Sequence, residues 1–391
     1  MTTLPDLGQR TGFRVRLGFV ALLDSAPLIV AREMGLFEAQ GLEVGLSREV
    51  SWASLRDKVG AGLLDGAQML APMPLAASLG LGAPAMPITT SLVLSRNGNA
   101  ITVSAALHRQ LVAAGATAKS PLASAQALAR VARRATRPLR FATVYPWSCH
   151  YLQFRDWLAV AQLVPGEDLE MTAIPPSRML DAFRKGEIDG CCVGEPWNSL
   201  AEIEGLGRIL VAGHQIWQNA PEKVLGMRQD WAQQHPEMYR RLLVALLQAC
   251  RWIEDPDNQG RLLRILALPP YLDRAAQQLQ QGSRGLFHPR IQQHFFRDCA
   301  NFPWLSQASW LASRMKHWGQ IDADADVESV VNQVYRPDIY RDAAQRAGLD
   351  APVIDGKPEG RHLLPYTVAG VEGPLSVASD GLLGEQQYPW P

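Results

Sequence analysis

The sequence predicts an α/β protein built as two lobes. Strand-period and helix-period segments alternate from Phe13 and again from Arg140, the pattern of parallel sheets covered by helices. A turn signal, Asn97-Gly98-Asn99, stands between the two series, and the chain turns helical from about Pro236. The reading places lobe 1 over residues 13–98 and lobe 2 over 99–213. The chain then returns to lobe 1 over 214–345 and ends in an irregular tail over 346–391. Ligands of such proteins sit where strand C-termini face a cleft between lobes.

Residues 1–12 read as a short mobile leader. Phe13 to Val20 alternates apolar and polar residues, the period of a strand. Asp24-Ser25 offers a helix N-cap, and Pro27 fits the first turn that follows. Leu28, Ala31 and Gly35 share a face, and Gly41 marks the stop. Leu42 to Leu46 is a second strand. Ser51 caps a helix that carries Trp52, Leu55 and Val59 on one face. Asp65 to Leu70 runs into the Pro-interrupted segment Ala71-Pro72-Met73-Pro74 and a helix of small residues.

Ile88 to Leu94 and Ala100 to Val103 read as strands flanking the crossover. Leu111 to Arg140, rich in Ala and Arg, reads as helical. Its arginines (Arg130, Arg133, Arg134, Arg137, Arg140) read as a solvated face, because no aromatics interleave with them as a single-strand platform requires. Arg140 to Val144 opens the second series. Ser148 caps a helix carrying Tyr151, Phe154 and Leu158. Leu169 to Ile174 is a strand, and Ser177 opens a helix that ends near Gly186. Ile188 to Val193 leads into Gly194-Glu195-Pro196-Trp197, and Arg208 to Ala212 is the last strand of the series. Tyr239, Leu242, Leu246 and Ile253 form one helical stripe. The last 41 residues hold six Gly and six Pro, which predicts an irregular course over the body.

Composition narrows the function. The 391 residues include 38 basic and 38 acidic side chains, so the net charge is zero. That balance argues against a direct nucleic-acid binder and against a polybasic membrane-surface protein. Val15 to Ala31 is interrupted by Asp24 and Pro27, so it reads as strand and helix rather than as an export signal or a membrane span. The expected location is therefore cytoplasmic. Five cysteines at irregular spacing (Cys149, Cys191, Cys192, Cys250, Cys299) suit free thiols in a reducing compartment and match no zinc pattern. There is no Walker A loop, no GxGxxG after a strand and no GxSxG elbow. Asp189 and Glu195 form a conceivable carboxylate pair with nothing to support acid–base work. The expectation is a protein that is not an enzyme and uses no cofactor and no metal.

Polar residues fall just after several strands, where a cleft would lie. Gln68 and Met69 follow one, Asn99 sits at the crossover, His150 at a helix start, and Gly194 at a strand end. Lys223 precedes Val224-Leu225-Gly226-Met227. Together they form an inventory of donors suited to a small planar monovalent anion, with one full positive charge and neutral groups that orient it. Each has a plainer reading alone: His150 as a capping histidine, Lys223 as a solvated loop lysine beside Glu222, Met69 as core, and Cys191-Cys192 as strand packing.

An ordered set of motifs carries a family resemblance. It runs from Leu17-Gly18-Phe19-Val20 through Asp24-Ser25-Ala26-Pro27-Leu28 to Ala31-Arg32-Glu33-Met34-Gly35-Leu36-Phe37. Ser51-Trp52, Arg56-Asp57-Lys58, Asp65-Gly66-Ala67-Gln68 and Pro72-Met73-Pro74 follow. Asn97-Gly98-Asn99-Ala100-Ile101, Gly194-Glu195-Pro196-Trp197 and Pro221-Glu222-Lys223 complete it. Over roughly residues 14–340 the chain resembles the nitrate/bicarbonate-binding proteins of the NrtA/CmpA family. The resemblance implies a two-lobed periplasmic-binding-protein-like (type II) fold with a nitrate pocket between the lobes. Carried over by position, the pocket residues are Met69, Asn99, His150, Gly194 and Lys223. The transport members carry tryptophan at the position of Met69 and glutamine at that of Asn99. Bicarbonate-binding relatives carry an acid at the position of Lys223 and use calcium, so a lysine there implies nitrate or nitrite without metal. With no export signal read, the chain resembles the cytosolic sensor branch, NasS. That implies a partner, a NasT-like RNA-binding antiterminator released by nitrate or nitrite. Two other readings stand beside it. One is the binding component of a nitrate or sulfonate ABC transporter. The other is a thiamine-pyrimidine synthase, for which Cys191-Cys192 is the only hint.

Overall fold

The computed structural model describes residues 14–281 and 287–390; the leader and Phe13 lie outside them. Ten strands make two five-stranded sheets. The first contains β1 (Arg14–Val20), β2 (Glu43–Glu49), β3 (Gly66–Leu70), β4 (Ile88–Arg96) and β10 (Pro221–Arg228), in the order β2-β1-β3-β10-β4. The second contains β5 (Asn99–Ser104), β6 (Leu139–Thr143), β7 (Leu169–Ala173), β8 (Gly190–Gly194) and β9 (Gly207–Ala212), in the order β7-β6-β8-β5-β9. Each sheet is parallel except for one strand that has crossed from the other side. β10 runs antiparallel to β3 and β4, and β5 runs antiparallel to β8 and β9.

The two crossings lie side by side. Asn97 (φ 56°) and Gly98 (φ 95°) both take left-handed backbone between β4 and β5. At Gly98 a side chain would be strained and would also crowd Gln293, 3.0 Å from an added Cβ. The second crossing, 213–220, runs against the first: Asn97 N donates to Ala220 O at 3.0 Å. Asn97 Nδ2 donates to Gln292 O at 2.9 Å.

The local signals work where a side chain completes a terminus. Ser51 Oγ accepts from Ser54 N at 3.1 Å and Ser148 Oγ from Tyr151 N at 3.0 Å, each capping the helix it precedes. The stripe from Tyr239 to Ile253 is the buried face of the helix Pro236–Glu254, packed on the core of the first sheet. Three expectations are corrected. The segment 111–140 is not one helix. It divides into Ala105–Ala113 and Pro121–Ala132, because Gly115 takes φ 92° and Ser120, followed by Pro121, starts a new helix by accepting from Ala123 N. Asp24-Ser25 is not a side-chain cap, since Ser25 makes no capping bond to the helix Ala26–Glu33. The tail is not wholly irregular. It forms a hairpin, β11 (Tyr366–Ala369) with β12 (Pro374–Val377). It also buries an ion cluster in which Lys357 Nζ lies 2.8 Å from Glu359 Oε2 and 2.9 Å from Asp380 Oδ2.

That cluster seats the tail on the second crossing. Gln218 N donates to Gly381 O and Leu383 N to Ile216 O, both at 2.8 Å. Asn219 Nδ2 donates to Ser379 O at 3.0 Å. Three arginines of the Ala/Arg-rich segment, Arg130, Arg137 and Arg140, are committed locally. Arg137 grips both oxygens of Asp189 at 2.7 Å, and Arg130 Nε donates to Ala114 O at 3.1 Å.

Candidate functional site

The C-terminal side of the parallel strands and the N-terminal ends of β5 and β10 meet at the junction of the two sheets, and there the chain buries charge. The turn after β1 supplies Asp24, β3 supplies Gln68, and β10 supplies Glu222 and Lys223. From the second sheet β5 supplies Asn99, β8 supplies Gly194, and the helix Cys149–Ala159 supplies His150. Asp24, Gln68, Asn99, His150, Glu222 and Lys223 are all at most 1% exposed. Lys223 is thus no solvated loop lysine. Its Nζ lies 2.8 Å from Asp24 Oδ2 and 2.7 Å from Glu222 Oε1. Gln68 Nε2 donates to Asp24 Oδ1 at 2.5 Å, and Gln68 Oε1 accepts from Val20 N at 3.1 Å. Asn99 Nδ2 donates to Glu222 Oε2 and so ties the second sheet to the first.

Neighbouring strand residues ordinarily point to opposite faces. Glu222 and Lys223 escape that rule because the β10–β4 register shifts between Pro221 and Lys223 and again between Lys223 and Val224. Such irregularities re-aim side chains beside functional sites. Gln68 and Met69 obey the rule. Gln68 turns to Asp24, while Met69, opposite Val224, packs its sulfur over Gly226, where an added Cβ would be 2.3 Å away. Of the six residues expected at the site, the structure therefore brings together Gln68, Asn99, His150, Gly194 and Lys223, and leaves Met69 in the apolar core. An added Cβ at Gly194 would stand 3.6 Å from both Asn99 Oδ1 and His150 Nε2, so any longer side chain would fill the space between them.

The electrostatics follow from burial. Burial works against the Lys223 ammonium, but Asp24 and Glu222 outweigh it and hold its pKa above the ordinary lysine value. Burial raises Asp24 against the pull of Lys223. Burial pushes the Glu222 carboxyl up to about 7 despite Lys223 and Asn99. Burial, with Lys223 nearby, holds His150 well below the usual range, so its imidazole is neutral. His150 Nδ1 is 3.4 Å from Glu222 Oε1, yet neither ring nitrogen has a hydrogen-bond partner. Asn99 Oδ1 and Trp52 Nε1 are likewise unpaired, and the Trp52 ring lies 5.5 Å from Lys223 Nζ. Orphans of this kind cost about 1–3 kcal/mol each and call for a ligand or water to satisfy them.

Asp24, Trp52 and Glu222 were not among the expected site residues. Asp24 stood in an apparent cap, Trp52 in a helix core stripe, and Glu222 beside a lysine read as lying in a loop. Asp189 and Glu195 flank opposite ends of β8, and Asp189 is taken by Arg137. Burial raises the thiols of Cys191 and Cys192 far out of the reactive range. A surface cavity of about 640 Å³, lined by Arg56, Met86, Pro87 and Arg228 among others, contains none of the clustered residues.

Residues 10–267 match the NMT1-like family. The chain belongs to the NMT1-like family. Among its relatives, the nitrate/nitrite binding protein NrtA of Nostoc sp. is 31% identical over 362 residues, covering 89% of this chain and 80% of the relative. The nitrate import ATP-binding protein NrtC of Synechocystis sp. is 35% identical over 374 residues, covering 92% of this chain and 54% of that protein. The chain thus spans about half the length of that relative. The solved periplasmic nitrate-binding protein NrtA of Synechocystis superposes with a TM-score of 0.80 at 27% identity, over 92% of this chain and 94% of that one. The resemblance to NrtA-type proteins and the two-lobed periplasmic-binding-protein fold both hold. These relatives are named as binding and transport proteins.

Proposed function

We propose that this NMT1-like protein binds nitrate or nitrite between its two sheets. The observation that carries this reading is the grouping of unpaired buried polar atoms around one buried ammonium. Lys223 supplies charge, neutral His150 and Trp52 supply N–H donors, and Gly194 leaves room. The names of the NrtA relatives support the choice of anion. Since every clustered side chain is sealed from solvent, the anion enters when the sheets part about the crossings at 97–98 and 213–220. Closure then joins Leu23 N to Glu195 O at 2.9 Å and Arg56 Nη1 to Tyr145 Oη at 3.0 Å.

We further propose that the chain is a cytoplasmic sensor, with a NasT-like antiterminator as its partner and no contact of its own with nucleic acid or membrane. Four buried free thiols and one half-buried one support a reducing compartment. The ligand acts by population shift: it binds the closed arrangement better than the open one and biases the partner complex accordingly, each tenfold preference contributing about 1.4 kcal/mol. A second reading, the binding component of a nitrate or sulfonate ABC transporter, is favoured by the import function named for the NrtC relative. Two experiments separate them. Titration with nitrate, nitrite, bicarbonate and taurine, with and without calcium, assigns the ligand. Fractionation of the native protein assigns the compartment, and recovery from the periplasm overturns the sensor reading.

A further inference from the structure

We propose that the anion enters this site together with a proton, which is carried by Glu222. The inference rests on the anion-binding reading above and adds to it the charge state of the bound form. The closed site already holds two carboxylates, Asp24 and Glu222, against one ammonium, Lys223. All three are sealed from solvent. A further anion would set three negative charges against one positive charge where water cannot screen them. One added proton restores the balance that the site has without ligand.

The geometry shows where that proton is accommodated. Asn99 presents Nδ2 to Glu222 Oε2 and leaves its buried Oδ1 without a partner. Turning the amide about its last bond exchanges the two atoms. A protonated Glu222 then donates its O–H to Asn99 Oδ1, and Asn99 Nδ2 is freed as a further donor for the anion. Lys223 keeps its pair with Asp24 and has a hydrogen released from Glu222 to offer. Every group facing the anion is then a donor, which matches nitrate or nitrite, acceptors throughout. The proton comes from solvent, and no bond of the anion is made or broken.

The other titratable groups around Glu222 are Asp24 on the turn after β1, Lys223 on its own strand, Cys149 and His150 on the helix Cys149–Ala159, and Cys192 on β8. Burial keeps both thiols protonated and His150 neutral, while Asp24 is held as an acceptor by two donors, Lys223 Nζ and Gln68 Nε2, and has no amide oxygen beside it as Glu222 has in Asn99. That burial pushes the Glu222 carboxyl up to about 7 agrees with a group that changes state on binding.

The test is calorimetry of sodium nitrate and sodium nitrite binding to the full chain, from pH 5.5 to 9, in buffers of different ionisation enthalpy. The expected result is uptake approaching one proton per anion above pH 8, with Kd rising about tenfold per pH unit there. Glu222→Gln is expected to abolish both the uptake and the pH dependence. Binding that is flat with pH and takes up no proton overturns the proposal while leaving the anion-binding reading intact. Uptake that persists in Glu222→Gln and vanishes in His150→Gln overturns the assignment to Glu222. Absence of binding at every pH overturns both readings. The buffer series on the parent protein decides the proton count even where a variant does not fold.

Discussion

Lys223 Nζ and Asp24 Oδ2 lie 2.8 Å apart, and neither side chain reaches solvent. The pair joins β10, which arrives from the far side of the second crossing, to the turn that follows β1. It places a fixed positive charge at the point where the two sheets meet. Burying two charges is costly, and removing one partner costs more than the pair contributes, because the other is left uncompensated.

Asp24→Ala should therefore destabilise the protein by about 3 kcal/mol. Lys223 keeps Glu222, which holds the cost toward the lower end of that class, but Gln68 Nε2 loses its acceptor as well. Urea unfolding with an unchanged slope measures this as a fall in midpoint.

Lys223→Met leaves two buried carboxylates with no cation. Both must then be protonated in the folded state. The loss of stability relative to the parent should be small near pH 5 and grow steadily toward pH 8. Thermal melts across that range check the sign.

Glu222→Gln should behave in the opposite sense. Burial raises the Glu222 carboxyl from 4.5 to about 7. A raised folded-state value means stability that is fully present below the unfolded pKa and lost as pH rises through the folded one. The variant lacks that loss. Its stability relative to the parent should climb between pH 4.5 and 7 and then level off, by about 3 kcal/mol in all. His150, whose pKa is lowered, contributes with the reverse sign, but it is common to both proteins and cancels in the difference.

Lys357→Met should loosen the tail from the second crossing. It leaves Glu359 and Asp380 facing each other in the interior, at a cost of about 3–5 kcal/mol. Limited proteolysis should then cut between residues 350 and 390 under conditions in which the parent resists.

Much of the fold was legible in the sequence because strand alternation and serine caps are local signals. Ser51 and Ser148 cap as their positions indicate, and the stripe from Tyr239 to Ile253 is buried. The site was legible only as an inventory. Gln68 and Met69 were indistinguishable until β3 had a partner, and pairing with β10 turned one to the junction and the other to the core. Glu222 read only as the acid beside a loop lysine, and the register shift in β10 that turns both side chains to the junction has no local signal. Asp24 resembled a cap because its true partner lies about two hundred residues away in the chain. The tail's glycines and prolines said nothing of Lys357, which pairs with Glu359 two residues on and with Asp380 across the tail.

The central claim is that a small monovalent anion binds at Lys223. It is tested most directly by calorimetric titration of nitrate and nitrite into the parent and Lys223→Met, with folding of the variant verified by circular dichroism at the titration pH. Saturable one-to-one binding in the parent, weakened at least about a hundredfold in the variant, is the predicted result; charge-assisted bonds of roughly 3 kcal/mol account for that loss. Equal affinity in the two proteins, or no binding of either anion to the parent, would contradict it.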